Sequence, residues 1–218
     1  MNKAGTKKGK NKEFLTPYTV INAVTKGNIV TKLSMVIMGL GNIAHKQIGK
    51  GIMFLAVEAA YIWYMIQSGI YNLSMLPSLG WREQEKVWNE KKSIYEYTAG
   101  DRSSLILLYG VATVYITAMF IIAWRESVKS SYKSEVLAKS GKHLNNFKED
   151  SKSLLDQNLY KLLLAAPIMG ILIFTILPLI YNITMAFTNY SKVNDHLVLF
   201  DWVGLANFKK ILNFGDSI

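Results

Sequence analysis

The chain has 218 residues and no cysteine, which excludes disulfides, thiolate metal sites and cysteine nucleophiles. It is also short of charge: 18% of its residues are Asp, Glu, Lys or Arg, against about 25% in an average soluble domain. It has no G-x-x-x-x-G-K-[ST] phosphate loop, so no Walker-type nucleotide site can form within it. G-x-S-x-G and H-E-x-x-H are also missing, and no paired carboxylates suit a membrane cavity. His45, His143 and His196 fall in separate polar segments without metal-ligand spacing. Catalysis therefore has no candidate residues, and no metal or cofactor site is expected in the chain. A cleavable signal peptide is not expected either. The charged leading region runs to Lys50, and the apolar run behind it is too long for a signal core and lacks a small-x-small site.

What the chain does have is three long apolar runs, at 51–70, 104–124 and 162–186, of 20, 21 and 25 residues. A hydrocarbon core of roughly 30 Å takes about 20 helical residues to cross, so each run is long enough. A soluble fold would have to bury all three with little else to wrap them. The expected fold class is an all-α membrane protein with three transmembrane helices and interfacial amphipathic helices.

Flanking charge orients the helices. Residues 1–50 carry nine Lys or Arg against Glu13 alone, and residues 125–161 carry eight against five. The other connections balance, five against five in 71–103 and three against three in 187–218. By the positive-inside rule the N-terminus and the 125–161 connection are cytoplasmic, and the chain ends outside. The net charge of +10 thus answers to anionic headgroups, worth about 1 kcal/mol per Lys or Arg at the surface, rather than to nucleic acid.

The organisation follows. Residues 1–50 form a cytoplasmic basic part, with a polar Lys-rich tail at 1–13 expected to be disordered. A weaker apolar stretch at 29–44 is read as one short interfacial helix, broken at its end by Gly39 and Gly41. Residues 51–124 form a transmembrane hairpin, with an outer loop at 71–103. There Trp81, Val87–Trp88 and Ile94–Tyr95 suggest a helix resting on the outer leaflet. Residues 125–161 are a cytoplasmic connection, helical in part, with Val128, Tyr132 and Val136 at i, i+4, i+8 and a break at Ser140–Gly141. The third transmembrane helix is 162–186, and 187–218 is an extracellular segment.

Glu58 is the acid inside a run, where an ionised side chain costs a few kcal/mol. It invites two readings, proton or substrate handling and a structural helix–helix hydrogen bond, of which the structural one is preferred. Gln67 and Asn182 are read as packing polar groups. Asn72-Leu73-Ser74 fits a glycosylation sequon, a weak signal. Pro178 lies mid-span, where proline removes a backbone hydrogen bond and kinks a helix; neighbouring groups can satisfy the freed carbonyl.

The third run and its sequel contain an ordered set of motifs: Pro167, Leu177-Pro178, Ala186-Phe187-Thr188-Asn189-Tyr190, and Val203-Gly204-Leu205-Ala206-Asn207-Phe208. In that order, over about 50 residues, they resemble the membrane-spanning subunits of bacterial binding-protein-dependent ABC sugar importers. The two preceding runs narrow the resemblance to the larger permease subunit of the maltose/maltodextrin type. The segment MGLGNIAHKQIGKGIMFLAVEAAYI is similar to its Gram-positive version.

The resemblance implies a multi-pass cell-membrane permease without an ATPase site of its own. Its partners would be a second permease, an ATPase dimer carrying ATP and magnesium, an extracellular sugar-binding protein and the lipid bilayer. Its motifs give Pro167, Pro178, Asn189, Gly204 and Asn207 as structural candidates beside Glu58, the acid inside a run, and leave substrate contacts unassigned. One departure stands out: the cytoplasmic Glu-Ala-Ala…Gly loop that docks the ATPase is missing, so the chain is expected to be the N-terminal portion of a longer permease. The alternatives are a complete three-span scaffold protein, which predicts a stop codon after Ile218, and a membrane-embedded enzyme, which lacks a catalytic constellation.

Overall fold

The structure is a computed structural model that describes residues 18–156, 159–190, 192–193, 196–197 and 199–213. The Lys-rich tail at 1–13 lies outside the described residues. Among the described residues three helical stretches are long and apolar enough to cross a membrane: Ile48–Met75, Ser103–Lys139 and Leu163–Met185. Their faces are bare. The share of the apolar window buried within the chain is 6%, 22% and 0% in turn, and Phe174, Ile66 and Trp63 are each at least two-thirds exposed. Patches of that extent are an aggregation hazard in water, whereas in hydrocarbon they match the solvent. Helices suit that solvent because every backbone polar group is satisfied within the segment.

The chain divides into two compact units. Unit 1 comprises Met1–Ile62 and Met119–Leu162. It contains α1 (Val20–Lys26), α2 (Ile29–Leu33), α3 (Leu40–Ala44) and most of α4 (Ile48–Tyr64). It also contains the latter half of α6 (Ser103–Lys139) and α7 (Phe147–Asp156). Thr19 caps α1 by accepting the Asn22 N–H at 3.2 Å, and Asn28 caps α2 by accepting the Thr31 N–H at 2.8 Å; each satisfies an orphan donor of a first turn. The core of the unit is Ala23, Val128 and Tyr132, with Val20, Met35, Trp124 and Val136 around them. The stripe at 128, 132 and 136 is therefore what α1 and its neighbours cover. Stacked rings of Tyr61 and Phe120, 3.8 Å apart, join α4 to α6.

Unit 2 comprises Trp63–Ala118 and Leu163–Ile218. Helix α4 continues through a π-helical segment, Met65–Gly69, into α5 (Ile70–Met75). Then come β1 (Lys86–Asn89), β2 (Ile94–Tyr97) and the first half of α6. Helix α8 (Leu159–Ile171) passes through a second π-helical segment, Leu172–Ile176, into α9 (Leu177–Met185). Strands β3 (Lys192–Val193) and β4 (His196–Leu197) and helix α10 (Ala206–Asn213) follow. The core is Leu79, Leu107, Val111 and Phe200, flanked by Leu76, Leu177, Tyr181 and Met185.

Two expectations are corrected here. The chain is mostly helical but not all-α, since β1 pairs with β2 and β3 with β4, both antiparallel. The first hairpin replaces the helix expected on the outer leaflet. Val87, Trp88, Ile94 and Tyr95 are β-branched or aromatic and favour a pleated strand, and Trp88 faces Tyr95 across the ladder with ring centroids 4.9 Å apart. The 29–44 stretch is likewise two helices rather than one. The α2 helix ends at Leu33, and the chain turns before α3 through Gly39 at φ +80°, a left-handed conformation that glycine adopts freely.

Candidate functional site

Two polar constellations stand out, one in each unit. In unit 1 the backbone amides of the turn between α2 and α3 and of the start of α3 are held by side chains. The Glu58 carboxylate accepts the Met38 N–H at 2.8 Å. Ser127 Oγ accepts the Gly39 N–H at 3.1 Å, and Ser34 Oγ accepts the Gly41 N–H at 2.6 Å. Met38 and Ser127 are fully buried, and a buried amide without a partner costs about 1–3 kcal/mol. Glu58 thus meets a backbone donor of the turn between α2 and α3.

A second carboxylate was not singled out from sequence. Glu135, 1% exposed, accepts the Asn28 N–H at 3.0 and 3.2 Å and the Thr31 hydroxyl at 2.6 Å. Lys139 pairs with it one turn on. Beside it, Asn42 donates to Ser130 Oγ at 2.8 Å and to Gln47 Oε1 at 2.9 Å, and accepts from Ser131 Oγ at 3.1 Å. Ser134 completes the group with a 2.7 Å bond to Gln47 Oε1. Serines 127, 130, 131 and 134 recur at i, i+3, i+4, i+7, a helical face. That spacing was the signal, running beside the apolar stripe of the same helix.

In unit 2, two motifs separated in sequence close on each other. Val203 N–H donates to the Phe187 carbonyl at 2.8 Å, and Asn189 N–H to the Asp201 carbonyl at 3.0 Å. Asn189 Oδ1 accepts the Asp201 N–H at 2.6 Å. The Asn207 amide donates to the carbonyls of Ala186 and Thr188 at 3.0 and 2.8 Å. The last carbonyls of a helix have no intrahelical partner, and Asn207 serves the residues just past α9. Phe187 and Phe208 pack with centroids 5.3 Å apart. Gly204 has φ +56° and nothing within 4 Å of where a Cβ would stand, so backbone conformation rather than space calls for glycine there. Trp202 Nε1 donates to the Leu76 carbonyl at 3.0 Å, and Phe200 N–H to Ser103 Oγ at 3.2 Å. The junction thereby ties the sequel of α9 to the end of the first span and the start of the second.

The remaining candidates stand apart from these clusters. Pro167 is inside α8. Pro178 occupies the first turn of α9, directly behind the π-helical segment. There the Leu177 N–H reaches back to the Leu172 carbonyl, the i to i−5 bond of a π-bulge. Gln67 and Asn182 are exposed, and Asn72 donates to Thr113 Oγ1 at 3.4 Å.

No protein-family model matches the chain, and no solved structure matches it. Similar proteins are nonetheless known. Over 199 residues the chain is 26% identical to the maltodextrin transport system permease protein MdxF of Bacillus subtilis (strain 168), covering 89% of this chain and 42% of that protein. It is 27% identical to the maltodextrin transport system permease protein MalC of Streptococcus pneumoniae serotype 4, covering 82% and 38%. To the galactooligosaccharides transport system permease protein GanP of Bacillus subtilis it is 25% identical, covering 84% and 40%. The chain spans about two fifths of the length of these curated relatives. These are proteins of the class its third-span motifs resemble. The chain is a multi-pass cell-membrane protein, homologous over most of its length to bacterial permeases of oligosaccharide transport systems.

Proposed function

We propose that this chain is the leading part of a permease subunit of an ATP-driven importer for a sugar or oligosaccharide of the maltodextrin kind. The observation that carries the reading is the similarity to three oligosaccharide-system permeases across more than four fifths of the chain. The junction around Asn207 supports it, because the motifs that carry the resemblance are the residues that bond to each other there. In this reading the subunit builds the translocation path with a second permease. An external binding protein delivers the sugar, and two ATPase subunits carry ATP and magnesium. The charge asymmetry of the connections supports a cytoplasmic N-terminus, and the junction then lies outside.

The test is uptake of labelled maltodextrin by cells lacking the gene, restored by the intact gene. Pro178→Ala is expected to lower uptake more than Pro167→Ala, since Pro178 follows the π-bulge that offsets the helix. No restoration, or equal and negligible effects of both substitutions, refutes the reading. Residues 1–218 contain no cysteine, so Lys91→Cys and Lys142→Cys, compared with the unsubstituted protein as background, report topology. An impermeant thiol reagent applied to intact cells is expected to label the first and spare the second.

A further inference from the structure

Within unit 1 a polar cavity of about 190 Å³ is walled by Gln47 and Lys50, by Ser130 and Lys133 of α6, and by Asn145 and Asp150. It holds an order of magnitude more than the ~10–15 Å³ one water needs. The wall is built rather than incidental. Gln47 is 7% exposed and Ser134 2%; each is fixed by the network around Asn42, and the Gln47 amide donates to the Asn145 carbonyl at 3.2 Å. Two lysines, Lys50 and Lys133, line the space without a tight acid partner among the described residues. Lys50 Nζ stands 3.9 Å from Asp150 Oδ2, the outer limit of an ion pair, and Lys133 Nζ lies 6.0 Å over the Tyr18 ring. The acid in the wall is Asp150, held by Asn145 at 3.2 Å, and the lining His143 is engaged by Glu149 at 2.9 Å. Lys50 sits in the first turn of α4, at the N-terminal end of a helical stretch long and apolar enough to cross a membrane.

We infer that this cavity binds a polyol phosphate, the glycerophosphate chemistry of an anionic phospholipid headgroup or of a soluble phosphate ester. The phosphate takes the Lys50 and Lys133 ammonium groups, as basic pockets beside transmembrane helices take lipid phosphates. The hydroxyls donate to the Asp150 carboxylate and accept from Ser130, which gives the acid in the wall a use that a bare anion would not.

Native mass spectrometry of the purified protein in detergent tests this, with phosphatidylglycerol, phosphatidic acid and phosphatidylcholine as probes and glycerol 3-phosphate as the soluble arm. Retention of phosphatidylglycerol over phosphatidylcholine, weakened about tenfold or more in the Lys50→Ala/Lys133→Ala variant, supports a lipid source. Binding of glycerol 3-phosphate with the same dependence on the two lysines supports a soluble one. Lys209→Ala/Lys210→Ala removes equal charge from α10 and is expected to change neither. The parent is expected to prefer phosphatidylglycerol, whose headgroup has free hydroxyls, to phosphatidic acid, and Asp150→Ala to keep the phosphate interaction and lose that preference. If neither probe binds, or the lysine pair on α10 matters as much as Lys50 and Lys133, the inference is wrong. A preference that survives Asp150→Ala overturns the polyol part.

Discussion

Gly39 and Gly51 meet backbone to backbone. A Cβ on Gly39 would stand 2.2 Å from the Gly51 carbonyl oxygen, and one on Gly51 would stand 2.4 Å from Ile43 Cγ1. Gly39 also holds φ +80°, which costs an L-residue roughly 1–2 kcal/mol. Overpacking adds about 1–3 kcal/mol. Gly39→Ala is therefore expected to destabilise unit 1 by about 3 kcal/mol and Gly51→Ala by about 2 kcal/mol, read by thermal unfolding in detergent. Wild-type stability in both would show that the α2–α3 turn does not rest on α4.

Glu58 supplies an acceptor to Met38, and an amide side chain supplies one too. Glu58→Gln is expected to stay within about 1 kcal/mol of the parent, while Glu58→Ala leaves a buried N–H unpaired and loses about 1–3 kcal/mol. Hydrogen exchange at the Met38 amide reports the bond directly: slowed in the parent and the Gln variant, fast in the Ala variant. The reverse order would assign Glu58 a role for its charge.

Glu135 serves two donors of the α1–α2 region through three hydrogen bonds, the Asn28 N–H reaching both of its oxygens and the Thr31 hydroxyl one. Hydrogen bonds to a charged group are each worth about 1.5–3 kcal/mol, so Glu135→Ala is expected to release residues 18–33 from α6. Limited proteolysis should then cut near Lys26 or Lys32, with α6 still protected. Unchanged resistance at those sites would contradict the bonding described.

Asn207 works as a donor to two carbonyl oxygens. Asn207→Ala is expected to cost about 1–2 kcal/mol. Asn207→Asp should be worse, because a carboxylate of the same shape faces two acceptors. Comparing the two variants by unfolding at neutral pH distinguishes hydrogen bonding from simple space filling; an Asp variant as stable as the parent would rule out the donor role.

The Asp101 carboxyl is held below the usual carboxylate range, first by the Trp81 N–H and next by the Arg82 N–H, which reach it at 2.9 and 3.1 Å. A depressed folded value means the stabilisation is fully present above the unfolded value of about 3.9. It is lost as pH falls through the lower folded value. The Trp81 and Arg82 amides should therefore stay protected from hydrogen exchange at mildly acidic pH and open only as pH falls through the lowered folded value of Asp101. In Asp101→Asn this pH dependence should vanish; if it persists, another group controls the base of the hairpin.

Some of this was legible residue by residue. The spacing of Val128, Tyr132 and Val136 reads as helical, and the structure has them on α6, with Val128 and Tyr132 buried in a core with Ala23 of α1. The outer hairpin was misread because Trp81, Trp88 and Tyr95 recur at about two helical turns. Those spacings fit one helix face as well as two paired strands, and only the Trp88–Tyr95 pairing separates them. The serine face of α6 was overlooked for a different reason. Small hydroxyl residues give no hydropathy signal, and their importance comes from Asn42 and Gln47 being brought against them.

The sequence by itself determined that three helices of this chain suit a membrane, because hydrocarbon selects each residue for its own transfer energy, whatever its neighbours do. Tertiary structure alone decided that Glu58 serves Met38, that Glu135 serves Asn28 107 positions away, and that Asn207 closes on the end of α9. A hydrogen bond needs its partners within about 3 Å and correctly aligned. Residues far apart in sequence acquire that geometry only from the folding of everything between them.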